Sequence, residues 1–174
     1  MTSNRKYGKP LRNLIGEWIE KGRMPAEFED VERVSDFDPK RLEIRRDGNV
    51  ADVDFEARTK YTVEAYYGGD HIGLVEVTAA NQLGELEMGV VGVDPAYQRH
   101  GVLDQMRQAV EADVASLASG RGEPDISLWV EFANWDIAGA FEEKGYSPNG
   151  SSCGYRVMRK DVPAAQLDRP SYAD

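Results

Sequence analysis

The stretch from Val91 to Met106 contains the residues whose types and spacing point most directly to chemistry. A run of small and β-branched residues ends at Asp94-Pro95, Gly101 follows six residues after the proline, and the apolar residues then recur with helical spacing. The first N–H groups of a helix have no intrahelical partner and carry partial positive charge. The pattern predicts a strand, a tight loop with a basic side chain at Arg99, and a helix start that suits phosphate, with an ordinary strand-to-helix turn as the alternative.

The composition indicates a globular chain with an acidic balance. Its 174 residues suit one domain with a proper core. A formal net charge of -10 argues against a nucleic-acid or membrane surface and suits a cationic partner or an amine substrate. The sequence has no apolar run of membrane length, and its polar, basic N-terminus lacks a signal-peptide core. We therefore expect a cytoplasmic protein that binds neither nucleic acid nor membrane.

Cysteine and histidine are scarce in this chain. Cys153 is the only cysteine, and His71 and His100 are the only histidines. An intramolecular disulfide is therefore impossible, and we expect no metal site.

The first forty residues differ in pattern from the rest. Apolar residues after Pro10 recur on one helical face that includes Trp18, and basic residues are followed by acidic ones. This face can pack on the domain or bind a partner. We expect a helical extension over residues 1–39, a domain over 40–161 and a flexible tail over 162–174.

After Arg41 the apolar period changes from helical to alternating. Short strands with turns between them predict an antiparallel meander, including a strand through Val53, Phe55 and Ala57 after a hairpin turn at residues 47–49. A helix from Gly101 to about Ser119 then leads to an apolar strand at residues 126–132, which predicts a parallel crossover. A second helix over residues 135–144 and a last strand near Tyr155 follow.

Two motifs carry a resemblance to a known family. Residues 93–102, VDPAYQRHGV, resemble the acetyl-CoA signature of the GCN5-related N-acetyltransferases, which has V-x-P and then Q/R-x-x-G-x-G/A before a helix. Gln98 and Gly101 match, whereas Leu103 stands where the family has Gly or Ala. The second signature, an Asn followed by a helix ending in Tyr-x-x-x-Gly-Phe, is matched in spacing by Asn134, Phe141, Gly145 and Tyr146.

The resemblance covers residues 60–160 and implies an α/β (α+β) fold with a mixed, mostly antiparallel sheet, flanking helices and a β-α-β-α-β cofactor half. The family places two helices after its first strand, whereas this chain has its helical residues first. The implied cofactor is acetyl-CoA, with the pantetheine arm on the backbone of β-strand residues and the diphosphate on the loop. The implied cofactor-binding residues are Val91, Gly92, Val93, Gln98, Arg99, His100, Gly101, Val102, Leu103, Asn134 and Phe141. Asn134 can alternatively cap the helix that follows.

The catalytic groups are also implied by position. Glu87 lies eleven residues before Gln98, the spacing of the general-base glutamate in the histone acetyltransferase branch, and Glu85 on the same strand face is the alternative. Phe141 occupies the position of the tyrosine that protonates the leaving thiolate, a role that phenylalanine cannot fill. Tyr146, Tyr155 or Cys153 could replace it.

Three functions remain open from sequence. The resemblance favours an N-acetyltransferase that acts on an amine of a small molecule or protein, with a homodimer as one possible assembly. A catalytically degenerate CoA-binding module is the alternative, because Leu103 and Phe141 both depart from the family pattern. An interaction protein that binds no CoA is the third.

Overall fold

A computed structural model describes Asn13 and residues 31–132, 135–152 and 155–166, with the backbone alone at 132, 135–137, 151–152 and 155–156. Of the predicted helical extension over residues 1–39, the structure describes Asn13, which is helical, and residues 31–39, which contain no α-helix. Cys153, Asn134 and the chain beyond residue 166 lie outside the described residues. Within the described residues, none of the helices has the length and apolarity that a bilayer crossing requires.

Within residues 31–132, 135–152 and 155–166, seven strands form one mixed sheet, and two α-helices accompany it. The strands are β1 (Leu42–Asp47), β2 (Tyr61–Tyr67), β3 (Asp70–Ala79), β4 (Leu86–Val93), β5 (Asp125–Phe132), β6 (Ser147–Ser152) and β7 (Tyr155–Pro163), in the order β1-β2-β3-β4-β5-β7-β6. The helices are α1 (Val102–Arg121) and α2 (Trp135–Glu142). All neighbouring strands are antiparallel except β4 and β5, so the predicted fold class and parallel crossover are confirmed.

Helix α1 packs on the sheet through one apolar stripe. Its residues Met106, Val110, Val114 and Ala118 are fully buried because they recur every three or four residues. Gly73 on β3 permits close approach, since a Cβ atom there would lie 2.8 Å from Cε of Met106. The helix ends at Arg121, two residues later than predicted. Gly122 is its C-cap and adopts a left-handed conformation (φ 69°).

The strand predicted through Val53, Phe55 and Ala57 is wrong. A 3-10 turn (Val50–Asp52) follows β1 instead, and local hydrogen bonds then occupy the backbone: the Ala57 N–H donates to Oδ1 of Asp54 at 2.6 Å, and the Asp54 N–H to Oγ1 of Thr59 at 2.8 Å. Such side-chain acceptors compete with a strand ladder for the same N–H groups. Strand β1 therefore pairs directly with β2, and residues 48–60 contain no α-helix.

Two element boundaries and one additional strand near the C-terminus differ from the predictions. Helix α2 stops at Glu142, and Gly145 adopts a left-handed conformation (φ 89°). Strand β6 was not predicted, because its Ser, Pro, Asn and Gly residues are poor strand formers. Val162 and Pro163, which the sequence placed in the tail, belong to β7. The rest of the division into extension, domain and tail stays a prediction.

Strand β4 is paired with β5 only over its first three residues. The parallel register joins Leu86 to Leu128 and ends where Met88 meets Val130. At that point Gly89 is the extra residue of a β-bulge, since Met88 pairs with Val77 on β3 and Val90 already pairs with Glu76. Bulges bend a strand, so the last part of β4 turns away from β5. Its β5-facing backbone is therefore left without a ladder partner in that strand.

Candidate cofactor-binding site

A cavity of about 770 Å³ lies at the carboxyl end of β4, between the β4–α1 loop, the start of α1 and the end of α2. This volume is in the range of small-molecule sites. Nine of the residues proposed from sequence for cofactor binding line it: Val91, Gly92, Val93, Gln98, Arg99, Gly101, Val102, Leu103 and Phe141. Residues separated by up to fifty positions in the chain are thus brought to one concave surface.

The β4–α1 loop is held in place by polar contacts of its own residues. The buried Asp94 accepts a hydrogen bond from the Ala96 N–H at 2.9 Å, and its own N–H donates to the Ile72 carbonyl at 2.7 Å. The Gln98 side-chain amide donates to the Val93 carbonyl at 3.3 Å. These hydrogen bonds of Asp94 and Gln98 fix the path of the loop without any ligand.

Two left-handed residues shape the loop where it enters α1. Arg99 has φ 67° and Gly101 has φ 77°, a conformation that costs little for glycine and is uncommon for arginine. Gly101 is the N-cap of α1, and no side chain caps the first turn. The first N–H groups of α1 are therefore left for another acceptor, and backbone turns of this kind form anion-binding concavities.

The charged side chains around the cavity are mostly basic, although the whole chain is acidic. Four cations line it, Arg33, Arg99, Arg107 and Lys144, against the carboxylates of Asp104 and Glu143. Within the described part of the chain, Arg33 and Arg99 form no ion pair, so both are available to a ligand. This local excess of positive charge favours an anionic ligand.

Asp104 does not leave an uncompensated negative charge at the start of α1. Its Oδ1 lies 2.8 Å from Nη2 of Arg107, and Gln108 donates to its Oδ2 at 2.7 Å. Burial opposes ionisation of Asp104, but the hydrogen bonds and charge of Arg107 outweigh it and lower the pKa of the carboxyl group. The negative charge of Asp104 beside Leu103 is therefore compensated by a neighbouring cation.

A buried polar cluster under the cavity was missed by sequence analysis. Glu111 accepts hydrogen bonds from Nη1 of Arg107 at 2.6 Å, from the Tyr146 hydroxyl at 2.9 Å and from Nζ of Lys160 at 3.0 Å. Burial opposes ionisation of Glu111, but these donors lower its pKa. The four-residue spacing of Arg107 and Glu111 was a usable signal for their pair, whereas the contact with β7 is set by tertiary structure.

Phe141 and Tyr146 are joined in the same region. Phe141 is 2% exposed, and its ring meets that of Tyr146 edge to face with centroids 5.0 Å apart. Burial and then the charge of Glu111 raise the pKa of the Tyr146 hydroxyl, which donates to Glu111 and is not part of the cavity lining. Tyr146 is therefore poorly placed to act as the substitute general acid considered above.

Glu87 lies on the sheet face opposite the core beneath α1. Its neighbours Leu86 and Met88 are buried in the core cluster that contains Met106, so the two-residue period of the strand directs Glu87 to the other face. Burial and then the charge of Glu131 raise the pKa of the Glu87 carboxyl group. Glu87 is not among the residues that line the cavity.

Glu85 differs from Glu87 in its partners. Its Oε2 accepts hydrogen bonds from the Asn81 amide at 2.5 Å and from Nε1 of Trp129 at 3.1 Å. Within the described residues Glu87 forms no hydrogen bond or ion pair. Of the two carboxylates, Glu87 is the one that is free to exchange a proton with a bound group.

His100, which was also expected to bind the cofactor, is not among the residues that line the cavity. Its ring stacks on Phe37 with centroids 4.7 Å apart, and its Nε2 lies 2.8 Å from the Val34 carbonyl oxygen. The sequence motif placed His100 correctly in the loop but carried no information about the segment that would cover it. Asn134 lies outside the described residues. Within the described residues no group of three His, Cys, Asp or Glu side chains is arranged to hold a metal ion.

Comparison with known proteins identifies the fold. No protein-family model and no curated protein matches the sequence. Among solved structures, AtaTR bound with AcCoA matches with a TM-score of 0.51 and 14% identity, over 71% of this chain and 94% of that chain. Structures named as acetyltransferases of the GNAT family are also among the matches, and the fold of this chain is GNAT-like.

Two further matches are to acetyltransferases that are covered only in part. Nourseothricin acetyltransferase matches with a TM-score of 0.47 and 22% identity, over 60% of this chain and 66% of its own. The PaiA N-acetyltransferase from Thermoplasma acidophilum, in complex with coenzyme A, matches with a TM-score of 0.47 and 15% identity, over 59% of this chain and 60% of its own. The chain therefore spans less than two thirds of the length of either protein.

Proposed function

We propose that the protein is an acetyl-CoA-dependent N-acetyltransferase that transfers the acetyl group to an amine of a small molecule or of a protein. The observation that carries the proposal is the cavity itself. It joins a basic loop and an uncapped helix start, which suit phosphates, to the end of β4 where β5 has diverged. A long ligand with phosphates at one end and amides along its arm would place the phosphates at the loop and the amides along the end of β4.

In the proposed complex, the two ends of the cavity bind different parts of acetyl-CoA, which is the acetyl-donor substrate. The N–H groups of residues 99–103 and the Arg99 guanidinium hold the diphosphate. The backbone of Val91 and Val93 hydrogen-bonds to the pantetheine amides in the manner of an added strand. Leu103 and Phe141 contribute apolar surface against the arm.

The proposed chemistry needs a base and an oxyanion site. Glu87 accepts a proton from the acceptor ammonium, so that the neutral nitrogen attacks the thioester carbonyl. The raised pKa of Glu87 makes it a stronger base than an exposed glutamate. A backbone N–H near Val91 stabilises the negative charge on the carbonyl oxygen. The attacking nitrogen then releases its second proton to solvent and the C–S bond breaks, which gives a neutral amide and the CoA thiolate, and the thiolate takes up a proton from solvent.

The missing tyrosine at position 141 supports a second candidate, a CoA-binding module without transferase activity. Phe141 has no proton to donate, and the Tyr146 hydroxyl is committed to Glu111. A thiol of ordinary pKa near 8.5 can leave as the thiolate, however, so this loss lowers the expected rate without removing the reaction.

The two candidates are separated by measuring thiol release from acetyl-CoA with a panel of mono- and polyamines. The transferase predicts release that depends on the amine and falls in Glu87→Gln. Saturable acetyl-CoA binding with no amine-dependent release would favour the binding module. Unchanged turnover in Glu87→Gln, with other amines active, would remove Glu87 from the role of base.

A further inference from the structure

The segment of residues 33–38, called the strap here, contacts the β4–α1 loop. The Val34 N–H donates to the Ala96 carbonyl at 2.9 Å, and the Val34 carbonyl accepts from Nε2 of His100 at 2.8 Å. Ala96 and His100 lie on the two sides of Arg99 in the chain. The strap therefore hydrogen-bonds to both halves of the loop that forms the proposed phosphate site.

Aromatic stacking anchors the other end of the strap. The Phe37 ring lies between the rings of Tyr67 and His100, with centroids 4.7 Å from each and interplanar angles of 20° and 14°. The Asp38 N–H then donates to the Tyr67 hydroxyl at 3.0 Å. This accounts for the position of His100, whose ring belongs to the strap contact rather than to the cavity.

Arg33 is brought to the cavity by these contacts. It lines the cavity with Arg99 and Lys144, forms no ion pair within the described part of the chain, and is the only basic residue between Arg23 and Lys40 in an otherwise acidic stretch. An exposed arginine in a strongly acidic segment would ordinarily pair with a neighbouring carboxylate. Arg33 instead lines the cavity together with Arg99, where an anionic ligand would be a partner for it.

We propose that Arg33 is a further phosphate-binding residue of the acetyl-CoA site, held over the loop by the strap. The proposal rests on the proposed function, since it needs a phosphate-bearing ligand in the cavity. It extends the site to a segment that precedes the sheet and lies outside both sequence motifs. It also gives the strap a role: Phe37 and His100 position Arg33, and Arg33 touches the ligand.

Calorimetric titration of acetyl-CoA into four proteins tests the proposal: the wild type, Arg33→Ala, Phe37→Ala and the matched control Lys40→Ala, which removes an exposed cation that does not line the cavity. Arg33→Ala should raise Kd about fivefold, the effect of one exposed charge pair, and Lys40→Ala should leave it within about twofold. Phe37→Ala should reproduce the loss, and the double variant Arg33→Ala/Phe37→Ala should show no further loss, because both changes remove one contact.

The phosphate itself is identified by repeating the titration with 3′-dephospho-acetyl-CoA. A contact with the 3′-phosphate predicts that Arg33→Ala costs nothing further with this ligand, and a contact with the diphosphate predicts the same cost for both ligands. Equal affinity of Arg33→Ala and wild type for acetyl-CoA would overturn the proposal while leaving the proposed function standing. A wild type that binds no acetyl-CoA would overturn both. Circular dichroism of each variant shows whether the fold is retained.

Discussion

The contacts of Glu111 with Arg107, Tyr146 and Lys160 predict how much stability the protein loses when this carboxylate is removed. Glu111 and Arg107 are 2.6 Å apart with side chains 15% and 8% exposed, and Glu43 and Arg45 are also 2.6 Å apart but 59% and 54% exposed. The two ion pairs have the same N–O distance and differ in exposure, so their carboxylates can be removed in matched variants. Glu111→Ala removes one of the two carboxylate partners of Arg107 together with the acceptor of Tyr146 and Lys160, whereas Glu43→Ala removes the acceptor of one solvated guanidinium.

The expected magnitudes differ because of the groups left behind. Breaking a buried ion pair leaves a desolvated charge, which costs about 3 kcal/mol of unfolding free energy, whereas an exposed pair contributes less than about 1 kcal/mol. For a chain of this size we expect Glu111→Ala to lower Tm by about 6 to 12 °C. Thermal unfolding followed by circular dichroism checks this. A Tm for Glu111→Ala no lower than that for Glu43→Ala would refute the reasoning.

The pH dependence of the same cluster has a defined sign. The pKa of Glu111 is lowered in the folded protein, so its contribution is fully present above its unfolded pKa and is lost as pH falls through the folded pKa. The Tm difference between wild type and Glu111→Gln should therefore be largest at neutral pH and shrink below about pH 4. A difference that grows toward acid would show that the carboxylate is not the stabilising form.

Three further predictions concern activity, the loop and the core. Glu87→Gln should lower kcat by about 10²- to 10⁴-fold with little change in acetyl-CoA Kd, and wild-type kcat should rise with pH through the raised pKa of Glu87; equal kcat at all pH values would contradict this. Gly101→Ala and Gly122→Ala should each lower the free energy of unfolding in urea by about 1 kcal/mol, because both residues are left-handed and nothing lies within 4 Å of an added Cβ. Only Gly101→Ala should weaken acetyl-CoA binding. Gly73→Ala should destabilise by about 1 to 3 kcal/mol through contact with Met106, whereas Gly89→Ala, which has open space, should be nearly neutral, and equal effects would contradict the packing described here.

The β4–α1 unit could be predicted from sequence because its signals are local. Helical spacing after Gly101 and the burial of Met106 and Val110 agree, and a glycine is found where the backbone is left-handed. Eight of the nine predicted cavity-lining residues lie between Val91 and Leu103, and residues joined by one loop cannot separate far; Phe141 came from the second motif. Their roles in binding acetyl-CoA stay predictions, as do the amine acceptor, the homodimer and the cytoplasmic location.

The failures have a common physical cause, which is competition from contacts distant in sequence or from local polar side chains. Asp54 and Thr59 bind the N–H groups that a strand at residues 53–57 would have needed. Strand β6 forms because β7 offers it a hydrogen-bonding edge, despite its poor propensity. His100 has a partner in Phe37 that no spacing rule could have supplied.

A crystal structure of the protein grown with saturating acetyl-CoA tests the central claim most directly. If acetyl-CoA binds as proposed, density for the diphosphate will lie against the N–H groups of residues 99–103. Density for the pantetheine arm will follow Val91–Val93, and the thioester will lie where β4 and β5 diverge. An empty cavity at saturating ligand, or acetyl-CoA bound elsewhere on the sheet, would contradict the assignment of this cavity as the cofactor site.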